Sequence, residues 1–356
     1  MKHYRLIEWG QPLQPHTEDT PLPRGSEVLL RLSHCGLCHT DLHVRDGYYE
    51  LGGGQRLTFA ERGFKLPLIP GHEPVGVVEA VGDEAVGVTA GSRYLVNPWI
   101  GCGECTMCAL GLDNLCPASQ PLGFGRWGGF GTHLLVRHPR YLVNIDGLSP
   151  AQAAPLACSG LTTYSAIKKL QPLPADDWVA VIGCGGLGLM ALAVLRGLGH
   201  RRVIACDIDD AKLAVAQAQG APATCNLQSD GVEGILRLAG GPLYGMLDLV
   251  GSAATVGLAT AGLRKGGRLV VAGLMGGTAQ LQVPLLALRE IAIMGSVVGT
   301  TADLIELVAM VKRGQIALPA VESRPLAQIE SSLADLAAGR IVGRVVLEID
   351  PQSSTR

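Results

Sequence analysis

The chain has 356 residues, 47% of them hydrophobic, which is more apolar material than one core usually holds and points to two domains. A formal net charge of -2, with no cluster of Lys and Arg along the chain, excludes a polyanion-binding surface, so nucleic acid is not an expected partner. The opening residues Met1 to Trp9 lack the apolar run of a secretory signal, and the expectation is a soluble, cytoplasmic protein.

Ten cysteines in a long chain of this kind bind metal or line a core more often than they pair as disulfides. The first chemistry-bearing stretch is Cys38-His39-Thr40-Asp41-Leu42-His43. Gly71-His72-Glu73 follows, and Cys158 stands after Ala154-Pro155-Leu156-Ala157. These are possible metal ligands, but they lie too far apart for spacing alone to join them. Cys102, Cys105 and Cys108, closed by Cys116, are different, because two-residue gaps let neighbouring thiolates curl around one ion from a short loop. Four sulfur ligands fill a zinc tetrahedron and leave no position for substrate, so this lobe reads as structural.

Trp178 to Leu195 carries no charge and is long enough to raise the question of a membrane span. Glycine decides against it: Gly183, Gly185, Gly186 and Gly188 break the run after a strand-like Trp178 to Ile182, and a helical pattern follows to about Gly199. Gly183-Cys184-Gly185-Gly186-Leu187-Gly188 fits the G-x-G-x-x-G turn, in which the backbone approaches a pyrophosphate at a helix N-terminus. Arg202 to Asp207 reads as the next strand, ending in an acid 19 residues beyond Gly188. A carboxylate there accepts hydrogen bonds from an adenosine ribose and repels a 2′-phosphate, which favours NAD over NADP. Further strands are expected at Met246 to Val250, Gly267 to Ala272 and Ile291 to Val298. The alternation predicts an α/β fold with a parallel, doubly wound sheet over residues 160–298. Within it, the apolar Ile291 to Met294 hints at a sheet edge able to pair. Cys35, Cys184, Cys206 and Cys225 are expected in the core, with Cys184, inside the turn, a candidate for oxidation.

Five motifs in order resemble those of the zinc-dependent medium-chain alcohol dehydrogenases, along essentially the whole chain. They are Cys35-Gly36-Leu37-Cys38-His39-Thr40-Asp41, Pro70-Gly71-His72-Glu73, the four-cysteine lobe, Ala154 to Gly160 and the glycine turn. Asn97-Pro98-Trp99 and the segment Asp46 to Leu66 are similar to the archaeal, tetrameric members. The resemblance implies a GroES-like, mostly-β catalytic domain over residues 1–159 with the zinc lobe at 97–117. A Rossmann domain for NAD would span 160–298, and residues 299–356 would return to the catalytic domain.

It also implies two zinc ions per chain, the catalytic one held by Cys38, His72 and Cys158 with a fourth position open. Thr40 matches the hydroxyl that takes the substrate proton, and His43 the histidine that relays it. Asp41 matches the carboxylate orienting His72, and Glu73 an acid close behind the zinc. His39, Thr162, Lys212 and Arg344 match cofactor-contacting positions beside Gly183, Gly185, Gly186, Leu187, Gly188 and Asp207. Tyr48, Tyr49 and Trp99, near the ligand loops, and Leu274 and Met275, after a predicted strand end, are candidates for an apolar pocket. Leu51 to Phe59 is a candidate pocket wall or interface loop. The expectation is a homotetramer, or a homodimer, acting on small alcohols, aldehydes or ketones and preferring medium-sized or aromatic alcohols to ethanol. A polyol or specialised secondary-alcohol dehydrogenase, an aldehyde dismutase with tightly held NAD, and a non-catalytic relative are the alternatives.

Overall fold

A computed structural model describes residues 1–174 and 176–350. A central strand of its parallel α/β half, Val179–Ile182, is buried at every position, as is Val203–Asp207 beside it. Unbroken apolar runs of this kind form where a parallel sheet is covered on both faces. Six parallel strands lie in the order Ala223–Asn226, Val203–Asp207, Val179–Ile182, Leu243–Asp248, Leu263–Val271, Ala292–Gly295. This is the 3-2-1-4-5-6 order of a doubly wound dinucleotide-binding sheet, and it puts the switch point between Val179–Ile182 and Leu243–Asp248. The apolar run that raised a membrane question is thus one short strand and the helix Gly186–Gly197, and no described helix is long and apolar enough to cross a membrane.

The expected strands are present with shifted ends. Leu243–Asp248 starts earlier than Met246, Leu263–Val271 starts before Gly267, and Ala292–Gly295 stops short of Val298. Ala223–Asn226, a half-buried edge strand with two polar residues in four, lacks the apolar run that marks its neighbours and was not anticipated.

The second sheet has seven strands, in the order Val321–Pro325, Arg344–Glu348, Val28–Gly36, Pro74–Val81, Arg93–Val96, Leu142–Asn144, with His133–Val136 also on Val28–Gly36. Two of its strands come from beyond residue 320. Arg344–Glu348 pairs antiparallel with the strand that leads into Cys38, aligning Val346 with Gly36 and Leu347 with Cys35. That register brings Arg344, 308 positions along the chain from Gly36 (344 − 36), beside the first ligand loop. Between the two sheets the helix Ser159–Lys169 is buried along nearly its whole length, packed against the helices Gly186–Gly197 and Thr301–Lys312. Buried side chains of both sheets join one continuous core across this junction.

Candidate metal centre and cofactor cleft

Cys38 and Cys158 each occupy the N-cap position of a helix, His39–Asp46 and Ser159–Lys169 respectively. The unpaired N–H groups and positive dipole end of a helix N-terminus favour a thiolate at that position. The two sulfurs lie 3.8 Å apart. His72 enters from the start of the strand Pro74–Val81, and its Nδ1 donates to Asp41 Oδ1 at 3.1 Å. The other oxygen of Asp41 accepts the backbone N–H of Cys38 at 2.9 Å, so one carboxylate holds two candidate ligands. With Nδ1 occupied, His72 Nε2 is buried without a hydrogen-bond partner among the described residues, as is Glu73 Oε1. Buried polar atoms rarely stay unpaired unless they serve an ion or ligand. One donor atom each from Cys38, His72, Glu73 and Cys158 lies within 4.8 Å of the others. Two sulfurs and an imidazole nitrogen at this spacing fit zinc.

The Glu73 carboxylate lies among these donor atoms, and its Oε2 accepts from buried Arg344. Burial, set against the Arg344 charge, moves its carboxyl up to about 7. Gly36 makes the space, since a Cβ there would lie 1.8 Å from Glu73 Oε2.

Cys102, Cys105, Cys108 and Cys116 form the other set, again within 4.8 Å of one another. Backbone N–H groups of Cys102 and Glu104 donate to Cys116 and Cys102 sulfurs at 3.3 and 3.4 Å; the bond from Glu104 favours the Cys102 thiolate, whereas burial pushes the Cys116 thiol up. The Arg140 guanidinium, 3.1 Å from Asp113, ties the lobe to the body of the domain.

The glycine turn follows Val179–Ile182 and opens the helix Gly186–Gly197. A Cβ at Gly188 would lie 1.9 Å from the Gly183 carbonyl oxygen, so helix and strand approach as only glycine allows, whereas nothing lies within 4 Å of a Cβ at Gly185. That open cradle at a helix N-terminus fits a pyrophosphate. Leu187 lies half-buried in the helix's first turn. Arg344 joins the two centres, for its Cδ would lie 2.4 Å from a Cβ at Gly186 while its guanidinium reaches Glu73. Asp207 ends its strand and accepts the Cys184 N–H at 2.7 Å, which fixes the turn to the acid. Thr162 is buried one turn beyond Cys158, Lys212 half-buried on the helix after Asp207, and His39 exposed at the entrance. Cys184 is fully buried and its thiol is pushed up to about 12 by that burial, so the expectation of an oxidation-prone cysteine is corrected: the thiolate is suppressed.

Tyr49 packs against the His43 ring at 4.9 Å, and Trp99 lies 5.9 Å from the His72 ring with its Nε1 donating to Ala157 O at 3.1 Å. Tyr48 turns instead to Arg56, which covers its ring at 3.9 Å. Leu274 is exposed on a cleft of about 1020 Å³ shared with Leu110, Leu115, Lys169 and Val297, whose lining includes none of the four ligand-set residues, and Met275 is 69% exposed. Of the pocket candidates, then, Trp99 meets the donor set through His72, and Tyr49 meets His43 beside it. Phe59, the last residue of the expected pocket wall, is gathered here with Phe64, Phe124 and Arg62, which the sequence analysis does not single out. The signal that would have found them is the clustering of phenylalanine in an aromatic-poor chain.

A parallel dinucleotide-binding sheet joined to a β domain that carries a closed four-thiolate lobe and a buried Cys2His centre defines a zinc-binding dehydrogenase. Residues 24–147 match the family described as alcohol dehydrogenase GroES-like domain, and residues 186–313 match zinc-binding dehydrogenase. The chain belongs to the zinc-dependent alcohol dehydrogenase family and is an oxidoreductase of that family. It is 34% identical to an NAD-dependent alcohol dehydrogenase of Sulfurisphaera tokodaii, over 98% of this chain and 99% of that one. The solved alcohol dehydrogenase of the archaeon Aeropyrum pernix superposes with TM-score 0.88 at 31% identity, covering 98% of this chain and all (100%) of the other. Acetophenone reductase of Geotrichum candidum, solved with NAD, gives TM-score 0.83 at 28% identity over 98% and 97%.

Proposed function

We propose that this enzyme interconverts primary or secondary alcohols and their aldehydes or ketones with NAD, and that it prefers medium-sized or aromatic alcohols to ethanol. The observation that carries this reading is the buried set of Cys38, His72 and Cys158, with His72 Nε2 unpaired, beside the arginine that packs on the phosphate turn. When bound, zinc supplies the Lewis acidity that makes an alcohol hydroxyl acidic near neutral pH, and nicotinamide supplies the hydride acceptor.

The residues of the chain do the rest. Asp41 holds the His72 ring and the Cys38 backbone in register. Thr40 takes the proton of the substrate hydroxyl, and His43, one helical turn on, passes it to solvent. Burial, with neighbouring His39 adding to it, lowers the pKa of His43 and so favours the neutral ring that can accept. Asp207 receives the adenosine ribose, while His39, Thr162, Lys212 and Arg344 line the cofactor. Tyr49 and Trp99 give the substrate end its apolar, aromatic character.

The same reading divides the chain at 159/160 and 298/299, supported by the two C-terminal strands that join the N-terminal sheet. It makes the protein a cytoplasmic homotetramer. In support, all ten cysteines are free, the edge strand Ala292–Gly295 is unpaired on its outer side among the described residues, and Val283, Leu288 and Val297 are exposed near it.

The test is NADH formation with ethanol, hexanol, benzyl alcohol, a secondary alcohol and a polyol, with NAD or NADP, before and after chelation and zinc return. Turnover with NAD, lost on chelation, restored by zinc and fastest with hexanol or benzyl alcohol, is expected. Turnover indifferent to zinc, or an equal or higher kcat/KM for ethanol, would overturn it.

A further inference from the structure

The chain has four phenylalanines, and three of them meet Tyr49 and Trp99 in one continuous arc at the substrate end of the site. The arc starts on His43, 4.9 Å from Tyr49, and runs through Phe59 at 5.1 Å, Phe64 at 5.7 Å and Phe124 at 5.5 Å. Trp99 follows at 6.2 Å and ends it, 5.9 Å from His72. One end of this aromatic surface is therefore the proposed proton relay, and the other a metal ligand.

A single guanidinium stands over its outer part. Arg62 Cζ is 5.1 Å from the Phe64 ring and 6.0 Å from both Tyr49 and Phe59. Nearby charges are answered locally: Arg56 pairs with Glu50 at 2.8 Å, Arg45 with Asp46 at 3.5 Å, and the Glu61 carboxylate accepts from Thr58 Oγ1 at 2.6 Å. Among the described residues no carboxylate lies within 4.0 Å of the Arg62 guanidinium. Its residue is exposed and its side chain hydrogen-bonds Tyr49, so the remaining donors of the fork stay available beside the rings.

We propose that Arg62 is a specificity-determining residue that receives a carboxylate carried by the substrate at the end remote from its hydroxyl. The preferred substrates are then alcohols with an aromatic or chain-like apolar body and a distal carboxylate, or the matching aldehydes. Phe59, fully buried, backs the other rings, which accommodate the body, and the fork meets the carboxylate by paired N–H donors above them. This rests on the alcohol dehydrogenase reading and deepens it, because a plain apolar pocket gives no advantage to an anion.

The experiment compares kcat/KM for 4-(hydroxymethyl)benzoate and 3-[4-(hydroxymethyl)phenyl]propanoate with that for the methyl ester of each, in the native enzyme, Arg62→Gln and Arg62→Lys. The native enzyme is expected to favour at least one acid over its ester about tenfold, as a charge-assisted pair supplies, and to lose that preference as salt rises. Arg62→Gln should bring the ratio near one, with Arg62→Lys between them. A native ratio at or below one for both acids, or a ratio unchanged in Arg62→Gln, overturns the proposal and leaves Arg62 as a packing cation. If Arg62→Gln does not fold, the native ratio and its salt dependence decide. Absence of NAD-linked turnover with 4-methylbenzyl alcohol would instead count against the parent reading, so the two failures are separable.

Discussion

His43 shows how one side chain is tuned by its position. It sits in the last turn of the helix His39–Asp46, half-buried against Tyr49, and burial together with the His39 charge lowers its pKa against the opposing pull of the Cys38 thiolate and Asp46. A lowered pKa leaves the ring neutral throughout the neutral range, charged only as the pH falls below the ordinary histidine value of about 6.5. If His43 accepts the substrate proton, kcat/KM for alcohol oxidation should hold steady above that value and fall as the pH drops through the lowered pKa. His43→Gln should cost roughly a hundredfold near neutral pH and erase that acidic limb. A variant whose pH profile matches the native one would remove His43 from the relay. Asp41 acts at the same scale but through other residues, since its two oxygens hold His72 and Cys38. Asp41→Ala should weaken catalytic-site zinc affinity by about tenfold to a hundredfold, read by chelator competition, with the four-cysteine site unaffected. Equal loss from both sites would mean a general failure to fold.

At the level of elements, the two halves of the chain touch through glycines. The hairpin strand Tyr48–Gly52 lies against the loop that follows Leu263–Val271: a Cβ at Gly276 would lie 2.3 Å from the Glu50 carbonyl oxygen, and one at Gly52 would lie 2.6 Å from Gly277 Cα. Because Tyr49 is carried by the same strand, this contact sets where the aromatic wall stands relative to the cofactor sheet. Gly276→Ala should push the hairpin away and raise KM for NAD and for benzyl alcohol together, several-fold. Gly54→Ala, where φ is also positive at 79° but nothing lies within 4 Å, isolates the backbone strain alone. Equal effects from both substitutions would show that the contact carries no function. Elements of this kind mark the limit of what a sequence shows. Val179–Ile182, the glycine turn and Val203–Asp207 were legible because local rules specify them: an apolar run, then glycine, then an acid. Cys102 to Cys116 was legible because its ligands share one short loop. The Glu73–Arg344 pair joins residues 271 apart, and no local pattern predicts it; family resemblance named both residues without showing that they meet. No local pattern marks Arg62; only the fold places three rings beside it.

On the scale of the whole molecule, the four-cysteine lobe is more than a loop clip. Besides its own tie through Arg140 and Asp113, it reaches the other half of the chain, where Asn114 Nδ2 donates to the Val297 carbonyl oxygen at 2.9 Å. Val297 lies in the stretch that leaves the parallel sheet and leads into the helix Thr301–Lys312, whose first turn is pinned by Lys168 to Asp303 at 2.6 Å and by Asn97 to Thr301 at 2.7 Å. A metal that closes the lobe therefore also holds one side of the junction between the two sheets. Its removal should cost stability, because an unfilled set of thiols, two of them half-exposed, restrains neither its own loop nor Asn114. Cys105→Ser is expected to reduce zinc from two ions per chain to one and to lower Tm by on the order of 5 °C, with Tm of the native enzyme rising with free zinc and that of the variant insensitive to it. Below the lowered Tm the variant should keep the native dependence of turnover on the remaining zinc, since none of the four cysteines belongs to the Cys38, His72 and Cys158 set. Loss of an ion with no change in Tm would show the lobe to be decoupled from the fold, and loss of turnover in a fully folded variant would assign it a part in the chemistry.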